Sequence, residues 1–339
     1  MSKRWKQRPP GSNWGDFGED DELGRLNLIT PQERLAAARE IREGLAFCLS
    51  LPLDLPGGTA LNPNRHPPQR HVATRKAGKP SVNYPLNLED SRYVDCSSDD
   101  SVTLFTQYST QWDALSHVGQ HFDAQGDGTA QAMYYNGFRA DEDIKAPQSG
   151  QPAYAHRLGI EKMAETCVQG RGVLIDLHAH YGDARTLVDY EKLKRVIDAD
   201  QIDIAPGDML CLHTGFAQKL VDMKGDPDPH VLHHSCAVLD GRDTRLAQWI
   251  ADSGISVLIA DNFAVEAYPY DHEGCDHCEG LPLHQVCLFR LGIHLGELWY
   301  LTPLARWLRA NQRHHFMLTS PPLRLPGSFG SPLTPVATV

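Results

Sequence analysis

Short apolar runs separated by Gly, Pro and Asp recur through the second half of the chain. Residues 173–177 and 209–212 are two such runs, and 255–260 is a third; their lengths suit buried strands. Between them the spacing predicts a helix over 190–197, a turn at Pro206-Gly207-Asp208, and a helix over 244–251 that ends near Gly254. Strands alternating with helices in this way predict an α/β domain. Further helices are expected over 283–291 and 303–310, and an extended tail over 320–339. Near the start, Thr30-Pro31-Gln32-Glu33 is a capping box with proline at the first helical position. It opens a helix predicted over 31–43, which Gly44 closes, and 45–53 reads as a strand.

Two polar stretches interrupt this rhythm. Residues 1–28 are expected to wrap around the domain, and 54–101, rich in Pro, Gly and Asn, reads as a long irregular loop. Loops of that length are functional lids, subunit contacts or disordered segments. There is no internal repeat or heptad series, so the expectation is one mixed α/β domain spanning 1–339.

Composition narrows the partners. A formal net charge of −11 argues against nucleic acid or an anionic membrane. No apolar run reaches the length of a membrane span, and no hydrophobic signal region follows the basic start, so a cytoplasmic location is expected. Eight scattered cysteines are too sparse for a disulfide framework in 339 residues, and reduced thiols are expected. Cys275-Asp-His-Cys278 stands apart, with His272 and His277 beside it, but a lone C-x-x-C is a weak zinc signal. The role of Cys275 and Cys278 stays open between a structural loop, a metal site and a redox pair.

The chemistry concentrates in Gln107-Tyr-Ser-Thr-Gln111-Trp-Asp113-Ala-Leu-Ser-His117. If this segment is extended, Gln107, Gln111 and Asp113 share one face. If a helix begins near Asp113, then Asp113 and His117 project together as an i,i+4 pair. Either geometry brings a carboxylate, an imidazole and amides to one point.

This spacing resembles the signature H-x-G-T-H-x-D-x-x-x-H of the cyclase / kynurenine formamidase-like family of metal-dependent hydrolases. Ser109-Thr110 stands at the G-T, Asp113 at the acid and His117 at the last histidine, while Gln107 and Gln111 replace the two earlier histidines. Asn13-Trp14-Gly15, Asp20-Asp21-Glu22-Leu23-Gly24 and Leu26 to Pro31 are similar to the start of the family's larger members. Tyr134 to Gly137 resembles a Tyr-Asn-Gly element of those members, Arg171 to Asp176 and Gly207-Asp208 to Thr214-Gly215 their central strands, Leu283-His284 with Gly296-Glu297-Leu298 their carboxy-terminal pair of active-site residues, and Pro321-Pro322-Leu323 with Gly330-Ser331-Pro332 their closing segment. The resemblance implies a swivelling β/β/α-type domain with a mixed, barrel-like sheet surrounded by helices, and a homodimer or homotetramer. It implies Asp113, His284 and Glu297 around a divalent metal ion (Mn, Zn or Mg), with His117 as general acid/base. The activity implied is hydrolysis of an amide, cyclic amide, formamide or lactone in a small-molecule substrate.

The residue chemistry is compatible with those roles. A carboxylate such as Asp113 is charged at neutral pH, and the reference pKa of a histidine such as His117 lies near working pH. A bound divalent ion lowers the pKa of its water and polarises a carbonyl. The two glutamines change the balance, because an amide oxygen is a weaker donor to Zn²⁺ than imidazole nitrogen. Three arrangements remain open: an oxygen-rich metal shell, replacement ligands such as His121, or a metal-free site in which Gln107 and Gln111 hold the substrate. Trp112, His121 and His213 are further candidates for substrate contact, and His178 and His180 for the site's edge. In the run Asp261-Asn262-Phe263-Ala264-Val265-Glu266, after the strand predicted over 255–260, Asp261 bonds to a site backbone, orients His284 or caps the next element. No P-loop, G-x-S-x-G elbow or dinucleotide fingerprint occurs. The rival expectations are a binding protein that lost catalysis on the same fold, and a lyase or cyclase using the same residues.

Overall fold

A computed structural model describes residues 4–75, 78–269 and 278–339. His272, Cys275 and His277 therefore lie outside the described residues. Its centre is a nine-stranded mixed sheet built from β1 (Ala46–Cys48), β2 (Gln111–Asp113), β3 (Gln169–Asp176), β4 (Met209–His213) and β5 (Val257–Ala260). β6 (His294–Glu297), β7 (His315–Thr319), β8 (Gly330–Pro332) and β9 (Val336–Thr338) complete it. The strand order is β1-β9-β7-β3-β4-β5-β6-β2-β8. β3 to β6 run parallel, and the flanking strands pair antiparallel. The sheet curls into a half-barrel with helices around it, as the swivelling β/β/α-type expectation requires.

The parallel strands are buried on both faces, which is why they read as continuous apolar runs. Val173, Ile175, Leu210, Leu212, Leu258 and Leu295 face one apolar cluster. Leu174, Met209, Cys211, Val257, Ile259 and Trp112 face the other. Helices Tyr190–Ala199, Thr244–Ser253 and Thr302–Ala310 pack around this core close to where the spacing puts them. Asp189 and Asp243 cap the first two through their side chains.

The structure corrects four local expectations. The capped helix is Pro31–Ala38, shorter than 31–43; it buries only Ala37, too thin an apolar face to carry it further. Residues 283–291 form a short α-turn, Pro282–His284, followed by a π-helix, Gln285–Leu291, most of it buried. Segment 54–101 is not wholly irregular: Gln69–Val72 pairs with Asp100–Thr103, and Tyr84–Pro85 with Cys96–Ser97. The longer pair is exposed at every position, so it carries no alternation to detect. Finally, the strand predicted over 173–177 ends at Asp176, and Leu177–Tyr181 is helical, which places His178 and His180 on a helix instead of a strand end.

Six described cysteines are free thiols, as expected, whereas Cys278 is disulfide-bonded. Among the described residues no helix is long and apolar enough to cross a membrane.

The amino-terminal wrap is anchored in the core. Trp14 is fully buried, donates from Nε1 to the Phe289 carbonyl at 2.7 Å, and meets the Phe289 ring edge-on at 5.0 Å. Asn136, in the Tyr134–Gly137 element, accepts from Gly15 N and donates to the carbonyls of Gly18 and Asp21. Gly24 lies so close to Gly292 that an added Cβ would sit 2.1 Å from the Gly292 oxygen, so only glycine permits this crossing. Trp14→Ala is therefore expected to cost about 3–5 kcal/mol of unfolding free energy, read as a lowered urea midpoint. A change within 0.5 kcal/mol would mean that the wrap is not part of the cooperative unit.

Candidate metal and catalytic site

The motif meets the sheet at β2, between β6 and β8. Gln111 lies opposite Glu297, and Asp113 opposite Leu295 on one side and Gly330 on the other. Directly opposed residues point to the same face, so Gln111, Asp113 and Glu297 share one side of the sheet. Trp112 points to the other: it is fully buried, donates to the Ser320 carbonyl at 2.8 Å and meets Trp299 edge-on at 5.1 Å. Its place is in the core, not against a substrate.

The chain does not continue as a helix after Asp113. It makes a turn closed by His117 N donating to Ala114 O at 2.9 Å. The turn still returns His117 over the strand, with Nε2 3.8 Å from Asp113 Oδ1. Ser109 and Thr110 stitch the motif down, since Thr110 Oγ1 accepts from Leu51 N and donates to Leu298 O, and Ser109 Oγ donates to Pro52 O.

His284 enters from the turn before the π-helix, with Nε2 3.2 Å from Glu297 Oε1 and Nδ1 2.8 Å from Glu266 Oε1. Glu266 also accepts from the backbone N–H groups of Leu283 and His284. This carboxylate fixes the ring and its tautomer, and it does so from the loop after β5, where parallel sheets place functional loops. Ala264 and Val265, immediately before it, take left-handed backbone angles of φ 68° and 58°. Such strain in non-glycine residues persists where the surroundings over-determine it.

Ligand atoms of Asp113, His284 and Glu297 all lie within 4.8 Å of one another, and all three residues are buried. Burial, followed by the neighbouring Glu297 carboxylate, holds the Asp113 carboxyl above the usual range. Burial also opposes the Glu297 charge, but the His284 hydrogen bond overcomes it and lowers that pKa. For His284 burial again works the other way, and the Glu266 and Glu297 carboxylates lift it to about 10. His117 is pulled down to about 4, first by burial and then by His284, which leaves it a neutral base.

The polar accounting shows what is lacking. Gln111 Nε2 donates to Glu297 Oε2 at 2.9 Å, but Gln111 Oε1 is buried without a partner. Both carboxylate oxygens of Asp113 are buried and accept no hydrogen bond among the described residues. A buried carboxylate without donors costs several kcal/mol, which a coordinated cation relieves. The residues thus fit a divalent ion held by Asp113, His284 and Glu297.

A cavity opens above this cluster. His117, His284, Glu297 and Gln107 line it, together with Arg65, Asn62, Tyr108 and Tyr268 and the apolar side chains of Pro56, Leu61, Phe263, Leu281 and Leu298. Gln107 therefore reaches the cavity, whereas Gln111 sits behind Glu297. The remaining candidates lie elsewhere. His121 is exposed on Gln120–Phe122 and lines a separate depression. His213 is buried between Asp176 Oδ1 at 2.8 Å and Thr302 Oγ1 at 3.1 Å. His178 and His180 bond to Asp183 and Asp200. Asp261 does not orient His284: it accepts from Thr214 N, Thr214 Oγ1 and Gly215 N. Sequence reasoning missed two residues of the site. Glu266 lies five residues after Asp261 in the same loop, and Arg65 lies within the segment 54–101.

Comparison with known proteins bears on the family and the fold. A search of curated proteins finds no match. Among solved structures, one described as a novel cyclase is 31% identical over 97% of this chain and 99% of its own, with a TM-score of 0.75. Isatin hydrolase A from Ralstonia solanacearum shares the fold at 13% identity, covering 91% of this chain and 97% of its own, with a TM-score of 0.56. The isatin hydrolase A of Labrenzia aggregata, bound to benzyl benzoate, does so at 12% identity over 91% and 99%, with a TM-score of 0.54. The model of the family described as "Putative cyclase" matches residues 48–267, nearly two-thirds of the sequence and the whole of the motif, so the chain belongs to that cyclase family.

Proposed function

We propose that the protein is a metal-dependent hydrolase that opens an amide, cyclic amide, formamide or lactone. The observation that carries this reading is the doubly unpartnered Asp113 carboxylate, buried beside His284 and Glu297 under a cavity that His117 also lines. Isatin hydrolases on the same fold make a cyclic amide the first class to try. Asp113, His284 and Glu297 would hold the ion, whose chemistry is to acidify water and polarise a carbonyl.

The chain's own groups account for the proton traffic. His117, neutral and facing the cavity, accepts a proton from the attacking water as its oxygen adds to the carbonyl carbon. It returns that proton to the leaving nitrogen or oxygen as the carbon–nitrogen or carbon–oxygen bond breaks, giving a carboxylic acid and an amine or alcohol. Glu266 keeps the His284 ring in one orientation throughout. Gln111 keeps Glu297 aimed at the cluster by donating to its second oxygen. Gln107 lines the cavity wall and offers the substrate carbonyl a contact.

The test is a screen of isatin, phthalide and N-formyl aromatic amines against protein dialysed with chelator and then reloaded with Mn²⁺, Zn²⁺ or Mg²⁺. Metal-dependent release of acid from one class is the expected result. Binding without turnover under every metal would replace the enzyme with a binding protein.

A further inference from the structure

The long segment before the motif contributes one charge that the hydrolytic scheme does not use. Arg65 lines the cavity that holds His117, His284 and Glu297, and it is only half-buried there. One guanidinium nitrogen, Nη1, donates to the Gln107 carbonyl at 2.8 Å, which fixes the group against the cavity wall. Among the described residues no carboxylate lies within ion-pair distance of it, although other arginines of the fold, such as Arg157 and Arg171, are paired. Its charge reaches the Asp113, His117 and Glu297 side chains as a longer-range field.

An arginine presents five N–H donors in a planar fork, and a carboxylate fills that fork with two parallel bonds. Using one donor on a backbone carbonyl orients the fork and leaves the others free. The facing surfaces are apolar and include an aromatic ring: Pro56, Leu61, Phe263, Leu281 and Leu298. Such a cavity combines a slot for a flat hydrophobic body with one fixed cation.

We propose that the cavity takes flat aromatic or cyclic compounds that carry a carboxylate, and that Arg65 grips the carboxylate as the specificity-determining residue. The proposal rests on the hydrolase reading for the identity of the reacting group, while the carboxylate grip is measurable without turnover.

Benzoate and benzamide have the same ring and differ in charge, so their affinities isolate the grip. Both are titrated by calorimetry into the wild-type protein as purified, and into Arg65→Gln and Arg65→Lys. The wild type is expected to prefer benzoate at least about tenfold, as a charge-assisted bidentate pair should. Arg65→Gln is expected to erase that preference while leaving benzamide binding within about twofold, and Arg65→Lys, which keeps the charge but not the fork, to retain part of it. A wild type without the preference, or an Arg65→Gln variant that keeps it in full, overturns the proposal; in the second case the carboxylate is held by a bound cation instead. An intact preference with no hydrolysis of any substrate in the screen, extended with the carboxylate-bearing N-formylanthranilate, sinks the hydrolase reading and leaves the Arg65 assignment standing.

Discussion

Asp113→Asn should empty the metal site and leave the fold in place. Elemental analysis of wild type purified without chelators is expected to give near-stoichiometric divalent metal, and the variant less than about a tenth of that. The reason is the accounting around the carboxylate. Its two oxygens are buried and unpartnered, and ligand atoms of Asp113, His284 and Glu297 lie within 4.8 Å of one another. Asparagine keeps the shape but replaces one oxygen with an NH2 group that donates protons and binds no cation, and it leaves only a neutral carbonyl oxygen as a weaker ligand. Loss of the ion removes several kcal/mol of transition-state stabilisation. At about 1.4 kcal/mol per decade, kcat/KM should fall at least a thousandfold. The metal-free variant should be about as stable as the metal-free wild type, because burial already favours the neutral form of the Asp113 carboxyl, which asparagine resembles in shape and charge. Added metal should raise the wild-type melting temperature by mass action and leave that of the variant unchanged. Unchanged metal content in the variant would place the ion elsewhere and remove the basis of the proposed mechanism.

What the sequence reveals of this site follows from how local each relation is. Gln111 and Asp113 lie two residues apart, so the period-2 alternation of a strand is enough to put them on one face, and it also turns Trp112 away. Trp112, expected against a substrate, is carried into the core by that same alternation. His117 is a neighbour of Asp113 in either backbone conformation, so its place was visible although the helix considered there is a turn. His284 and Glu297 are far away in the chain, and no spacing links them to Asp113. They were reachable only through likeness to a family, and the register of β6 against β2 supplies the physical link.

Glu266 and Arg65 show where such reading stops. Glu266 sits in an apolar-to-polar transition after a buried strand, five residues beyond Asp261, and spacing alone does not say which of the two acids orients His284. The choice is made by the left-handed backbone at Ala264 and Val265, which local sequence does not encode because neither residue favours it. Arg65 lies in a stretch whose strands are exposed at nearly every position and so lack a hydrophobic pattern. Its approach to Gln107 depends on the path of the whole segment. The histidines mislead for a different reason. His178, His180 and His213 are each satisfied by an aspartate, and a paired histidine looks the same in sequence as a catalytic one.

His117→Gln should separate proton transfer from metal binding. His117 faces the cavity and stands 3.8 Å from Asp113, and it is not part of the Asp113, His284 and Glu297 cluster. Glutamine occupies a similar volume and can still form hydrogen bonds, but it cannot accept a proton from water or return one to a leaving group near neutral pH. The variant is therefore expected to keep its metal within about twofold, while kcat falls by about 10²–10⁴, the range lost with a general acid/base. The loss should be smaller for an aryl ester or an activated lactone, whose leaving group departs without a proton, than for an amide, whose nitrogen must be protonated to leave. That difference between substrates is the decisive reading, because a damaged fold or a lost ion would slow both alike. Equal losses on both, or a metal content that falls with activity, would assign His117 to the metal site or to structure and return the proton transfer to another group of the cavity.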